Sequence, residues 1–260
     1  MRRFAALYQA LDRSTSLNDK RDAIVAYLAD APPADAAWAL YVLSGGKIAR
    51  IANSTELRAW IAEASGHPPW LVDDSYAHVG DLAETLTLLV EEPAAERRDE
   101  RPLVHWIEHT LLPVAGQDAG VRRAVVTGAW TVLPEAERLV FNKLLTGALR
   151  VGASQRLVQQ AVAQATGIDV ARIAQRMLGA WTPSPEFLAQ LTAPGETAED
   201  REQPYPFFLA SPLEAALRAR LARVTENVRS ENLGRVADDV ERQVAPALRA
   251  AGNMHRQSIY

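Results

Sequence analysis

The chain has 260 residues, 48% of them hydrophobic, no cysteine, and a formal net charge of −4 at pH 7. That length can bury one large core or two small ones, and the lack of cysteine excludes disulfides, thiolate metal sites and cysteine nucleophiles. No apolar run approaches the roughly 18 residues of a membrane span, and the opening Met1–Tyr8 stretch is too short in its apolar part for a signal peptide, so the expectation is a soluble, cytoplasmic protein with no membrane partner.

Apolar residues recur at helical spacing along nearly the whole chain, with no convincing alternating strand. In chain order, Pro32-Pro33 opens a helix that ends at Ser44-Gly45-Gly46, and Asn53 followed by Glu56 has the spacing of a capping box. Gly66-His67-Pro68-Pro69 breaks the chain before Trp70, and Asp81 caps a helix over Leu82–Val90. Pro93 to Pro102 reads as a charged loop; Asp118, Pro134, Ser154 and Asp169 read as helix starts, with Gly147 and Gly167 closing two of the helices. Thr182-Pro183-Ser184-Pro185 starts a short helix. Beyond an acidic stretch, Pro204–Pro212 is apolar, and its prolines forbid a regular helix. From Leu213 onward the chain is helical again, with one stripe at Leu217, Leu221, Val224 and Val228 and another at Val236, Val240, Val244 and Leu248. The fold class is therefore all-α: a compact multi-helix bundle of about ten helices with a helical C-terminal tail. The organisation is a helical domain over residues 1–203, an extended strap or linker over 204–213, and a tail over 214–260.

Net charge decides little, because the charge is uneven: Arg101–Ala180 holds nine Lys/Arg against five Asp/Glu. Within it, Gly147-Ala148-Leu149-Arg150-Val151-Gly152-Ala153-Ser154 joins two helices. Gly152 would let the backbone approach a ligand. Ser154 would cap a helix whose first N–H groups carry a partial positive charge, and Arg150 would add a full one, which together describe a phosphate seat. Gly45-Gly46-Lys47-Ile48-Ala49-Arg50 is similar, a glycine turn with two cations. It is not a Walker loop, since Tyr41 stands where that motif needs glycine and Ile48 follows the lysine. Arg156, Arg122-Arg123 and the pair Arg172 and Arg176, which share a helix side, could extend a basic face. Taken alone, each of these segments reads first as a plain helix connection or a solvated helix face.

His105 and His109 are one helical turn apart but lack a third ligand, so no metal is expected, and the six tryptophans read as core anchors. No Gly-x-Ser-x-Gly elbow or dinucleotide fingerprint is present, and no catalytic residue is assigned. A hydrolase using His105 or His109 is the weakest reading.

Phe141-Asn142-Lys143-Leu144-Leu145-Thr146-Gly147-Ala148-Leu149-Arg150-Val151-Gly152 resembles the F-x-K-L-[IL]-x-G-x-[LF]-R-x-G segment in the N-terminal DNA-binding domain of ATP-dependent DNA ligases. Trp38–Arg50 resembles the early helix and glycine turn of that domain, Val79–Thr85 its G-D-[LV]-[AG]-E helix start, and Pro204–Pro212 the lead into the nucleotidyltransferase domain. The resemblance runs in order over roughly residues 1–213. It implies an all-helical domain that encircles nicked duplex DNA together with two catalytic domains and grips the sugar–phosphate backbone across the minor groove, in DNA repair, replication and recombination. It also implies contacts from Gly45, Gly46, Lys47, Arg50, Gly147, Arg150, Gly152, Ser154, Arg156, Arg172 and Arg176, and a nucleoid-associated location.

The adenylation motif Lys-x-Asp-Gly of that family is not among the three lysines Lys20, Lys47 and Lys143; Lys20-Arg21-Asp22-Ala23 comes nearest but lacks the glycine. ATP and magnesium are therefore implied only for a catalytic domain outside this chain, and the chain alone is expected to bind DNA without ligating it. The partners expected are duplex or nicked DNA and a catalytic ligase domain. The alternative is a helical scaffold protein that pairs or dimerises through the tail stripes.

Overall fold

A capping residue stands at most helix ends in the computed structural model, which describes residues 1–195 except Ala148. Eleven α-helices occupy those residues: α1 (Arg2–Arg13), α2 (Leu17–Asp30), α3 (Pro33–Leu43), α4 (Ser54–Ser65), α5 (Pro69–Val79), α6 (Leu82–Leu88), α7 (Ala119–Val132), α8 (Glu135–Thr146), α9 (Gln155–Thr166), α10 (Val170–Arg176) and α11 (Pro185–Leu191). The all-α expectation holds: no strand occurs among the described residues.

The caps are chemical. Side-chain oxygens of Asn53, Asp81, Asp118, Ser154, Asp169 and Ser184 accept from first-turn N–H groups of α4, α6, α7, α9, α10 and α11, which relieves donors that have no partner inside the helix. At Asn53 the capping box is complete: Glu56 N donates to Asn53 Oδ1 at 2.9 Å, and Asn53 N donates to Glu56 Oε2 at 2.8 Å. The Gly147 expectation also holds, since this residue closes α8 at φ 67°, in the left-handed region that favours glycine. Two boundaries differ from expectation. α6 stops at Leu88, and the Pro93–Pro102 loop holds a short 3-10 turn over Ala95–Arg97.

One element was not anticipated: a π-helical segment over His105–Leu111. Its start is held by buried Asp35 of α3, whose carboxylate accepts from Leu103 N at 3.2 Å and Val104 N at 2.8 Å. Trp38 Nε1 donates to Glu108 Oε1 at 2.7 Å and stitches α3 to the same segment. The two histidines are therefore placed by packing. His105 Nε2 lies 2.6 Å from Arg101 Nη1, and burial, then Arg101, push its pKa down. Among the described residues, no group of His, Asp and Glu gathers as a metal site.

α8 is buried along most of its length. It packs on α6 and α1, while α9 packs on α2, α10 and α3. Val140 and Phe141 are fully buried, and Trp106 and Trp130 are also in the core. A helix hidden on most sides must satisfy its polar groups internally. The two Nη groups of Arg138 do so by donating to the carbonyls of Val90, Glu91, Trp130 and Leu133. Asn142 Oδ1 accepts from Trp130 Nε1 at 2.7 Å, and its Nδ2 donates to Thr87 Oγ1 at 3.0 Å. No helix among the described residues is long and apolar enough to cross a membrane. The Pro204–Pro212 strap and the tail stripes lie outside the described residues.

Candidate functional site

Three inter-helix connections converge on one cleft of about 720 Å³. The α3–α4 loop contributes Gly45, Gly46, Lys47, Ile48, Arg50 and Ala52, the α5–α6 turn contributes Gly80 and Asp81, and the end of α8 with its following loop contributes Lys143, Thr146, Gly147, Leu149 and Arg150. Val42, Leu57, Leu82, Ala83, Leu144 and Leu145 supply apolar lining, and Ser54 and Tyr76 complete the list of polar side chains. The two glycine turns read from the sequence thus face the same space.

Cations dominate that space. Lys47, Arg50 and Arg150 are exposed. Lys143 is not: its side chain is 6% exposed, and its Nζ donates to Asp81 Oδ2 at 2.7 Å with Glu84 at 3.5 Å. Burial pulls the Lys143 ammonium down, but the hydrogen bond to Asp81 and the charges of Tyr8, Asp81 and Glu84 together outweigh it and the pKa is raised. For Asp81, burial pushes the carboxyl up, yet Lys143 and the first amides of α6 together hold it below its ordinary value. Both groups are therefore charged at neutral pH and neutralise each other, which leaves the net positive character of the cleft to its exposed cations. Asp81 also caps α6, accepting from Glu84 N at 3.0 Å. The Gly80-Asp81 and Phe141–Gly152 segments, far apart in sequence, are thus joined by one ion pair.

The structure gives the residues named from the sequence different surroundings at four points. First, the amides of the glycine turns close helix ends. Gly45 N donates to Val42 O and Gly46 N to Tyr41 O, while Gly147 N donates to Leu144 O and Lys143 O. Gly46 is glycine because a Cβ there would lie 2.5 Å from the Tyr41 ring.

Second, Gly152 and Ser154 do not line the cleft. Gly152, at φ 62°, sits where a Cβ would be 2.7 Å from Lys20 Nζ, and buried Lys20 donates to Val151 O at 2.6 Å. The close backbone approach at Gly152 thus serves this internal strut. Ser154 accepts from Leu157 N as the cap of α9.

Third, Arg176 is 7% exposed and donates to the carbonyls of Leu191, Ala193 and Gly195, so it holds the chain after α11 and faces away from solvent. Arg156 is exposed and Arg172 half-buried, but neither lines the cleft.

Fourth, Arg122 belongs to no free basic face: it binds Ile51 O and Glu56, and its neighbour Arg123 pairs with Glu63. The cleft members missed from sequence, Asp81, Lys143, Thr146, Ser54 and Tyr76, left one usable signal. Lys143 is a lone lysine among apolar residues of α8, and such a residue needs a buried partner.

Comparison with known proteins adds an independent line. Residues 1–163 match the family model described as DNA ligase N terminus. A protein of Nocardia farcinica (strain IFM 10152) named "Probable DNA ligase" is 33% identical over 128 residues, which is 49% of this chain and 23% of that protein. A "Probable DNA ligase" of Koribacter versatilis (strain Ellin345) is 31% identical over 221 residues, 79% of this chain and 37% of that protein. The chain thus spans well under half the length of either relative.

Proposed function

The chain belongs to the DNA ligase N-terminus family, and from that premise we propose that it holds duplex or nicked DNA by the sugar–phosphate backbone. The observation that carries this reading is the meeting of Lys47, Arg50 and Arg150, from loops far apart in sequence, at one cleft. Exposed cations at a concave site attract a polyanion through release of its condensed counterions, and such contacts position a duplex without reading bases. That suits an activity needed at a nick in any sequence. The neutralised Lys143–Asp81 pair beneath them fixes the geometry of the cleft walls and adds no net charge.

Ligation itself is a proposal for a larger assembly. The partner is a catalytic ligase domain, which would bring ATP and magnesium; the roles would lie in DNA repair, replication and recombination, in the cytoplasm at the nucleoid. Lys20, in the segment closest to an adenylation motif, is buried against Val151 O and serves as a strut. The test is a fluorescence anisotropy titration with labelled nicked duplexes of unrelated sequence. Arg150→Glu should weaken binding to all of them alike. Unchanged affinity for every duplex contradicts the proposal.

A further inference from the structure

The geometry points to Arg122 and Glu56, neither of which lines the cleft, as positioning residues that hold Arg50 ready for a phosphate. This inference rests on the DNA-binding reading of the cleft. Gly46–Asn53 has no regular secondary structure, yet it carries Lys47 and Arg50. An irregular loop that must present charge at a fixed place loses affinity to its own ordering unless something orders it beforehand.

That order comes from α7. Arg122 Nη1 donates to Ile51 O at 2.5 Å, while Nη2 donates to Glu56 Oε1 at 2.8 Å. Glu56 Oε2 accepts from Asn53 N, so one carboxylate joins the arginine to the loop's last residue. The Arg122 guanidinium also lies 5.9 Å from the centre of the Trp60 ring, which restricts its plane. Ile51 and Ala52 are buried, and Arg50 Nε donates back to Ala52 O at 3.3 Å. The backbone that aims Arg50 is therefore clamped from both sides. The Arg122 hydrogen bond lowers the Glu56 pKa and keeps that carboxyl charged. A planar fork that reaches a carbonyl and a carboxylate together is a function lysine does not reproduce.

Arg122→Lys separates the possible roles, because it keeps the charge and removes the fork. Affinity for a labelled nicked duplex is measured for the full chain, Arg50→Ala, Arg122→Lys and the double variant, together with amide hydrogen exchange at Arg50–Ala52. The expected result is a loss of about fivefold at 0.15 M salt in each single variant, the share of one phosphate contact. The double variant should be no weaker than Arg50→Ala, and exchange at Arg50–Ala52 should quicken in Arg122→Lys. Full affinity in Arg122→Lys alongside a loss in Arg50→Ala overturns the inference. So does an additive loss in the double variant, which would make Arg122 itself a DNA contact. Unchanged exchange overturns it whatever the DNA result. If the unaltered chain shows no salt-dependent binding, the reading of the cleft fails, and the exchange result still decides the clamp.

Discussion

Replacing Asn142 with leucine isolates the polar joint between α6, α7 and α8. Asn142 is fully buried, and its Oδ1 is the acceptor for Trp130 Nε1 at 2.7 Å. Leucine has the same branched shape and number of side-chain heavy atoms, so no cavity forms, but the indole N–H of a fully buried tryptophan loses its acceptor. Leaving such a donor unsatisfied costs about 1–3 kcal/mol. Thr87 limits the damage on the other side, because its hydroxyl still donates to Ala83 O at 2.7 Å. The expected loss is therefore about 2 kcal/mol, equivalent to a fall of roughly 4–8 °C in Tm for a domain of this size. The assay is urea denaturation followed by the far-ultraviolet helix signal. Asn142→Asp, which keeps an acceptor for Trp130 but loses the donor to Thr87 and buries a charge, should also destabilise. A change below about 0.5 kcal/mol for Asn142→Leu would refute the view that this hydrogen bond helps hold the bundle together.

Other consequences are equally direct. Because the folded state holds Asp81 below its ordinary pKa, its stabilising contribution is present above about pH 4 and is lost as pH falls through the depressed value. Asp81→Asn should lower Tm at pH 7 and flatten its acid limb, as scanning calorimetry across pH would register; an unchanged acid limb would count against the pair. Gly46→Ala drives a methyl into the Tyr41 ring, so the Lys47 loop must shift, and duplex affinity should fall while Tm changes by only a few degrees. Lys20→Met removes the buried donor to Val151 O, and amide exchange around Val151–Gly152 should speed up by roughly tenfold, the equivalent of one charge-assisted hydrogen bond.

Helix positions were legible because their signals are local. Asn53 with Glu56, Asp81, Ser154, and Gly147 act within one turn of where they sit, and each caps as its chemistry requires. The π-helical turn at His105–Leu111 was hidden, since its anchor, Asp35, lies in another helix. The cleft was half legible. Lys47, Arg50 and Arg150 could be named as exposed cations beside glycine turns, but the fate of an N–H or a guanidinium depends on which carbonyl folds next to it. Arg122 and Arg176 look like surface charge in the sequence and become internal struts because Ile51 and Leu191 present carbonyls to them. Lys143 and Asp81 could not be paired in advance, since no pattern in either segment points to the other.

The central claim is that Lys47, Arg50 and Arg150 face one polyanion together. Its most direct test is the dependence of duplex affinity on salt, for the unaltered chain and for the Lys47→Ala, Arg50→Ala, Arg150→Ala triple variant. Each phosphate contact contributes about 0.9 to the slope of log Kobs against log salt. The account predicts a steep slope for the unaltered chain between about 50 and 200 mM salt and a slope shallower by roughly 2.7 for the variant. A flat dependence in the unaltered chain, or equal slopes in the two proteins, would contradict it.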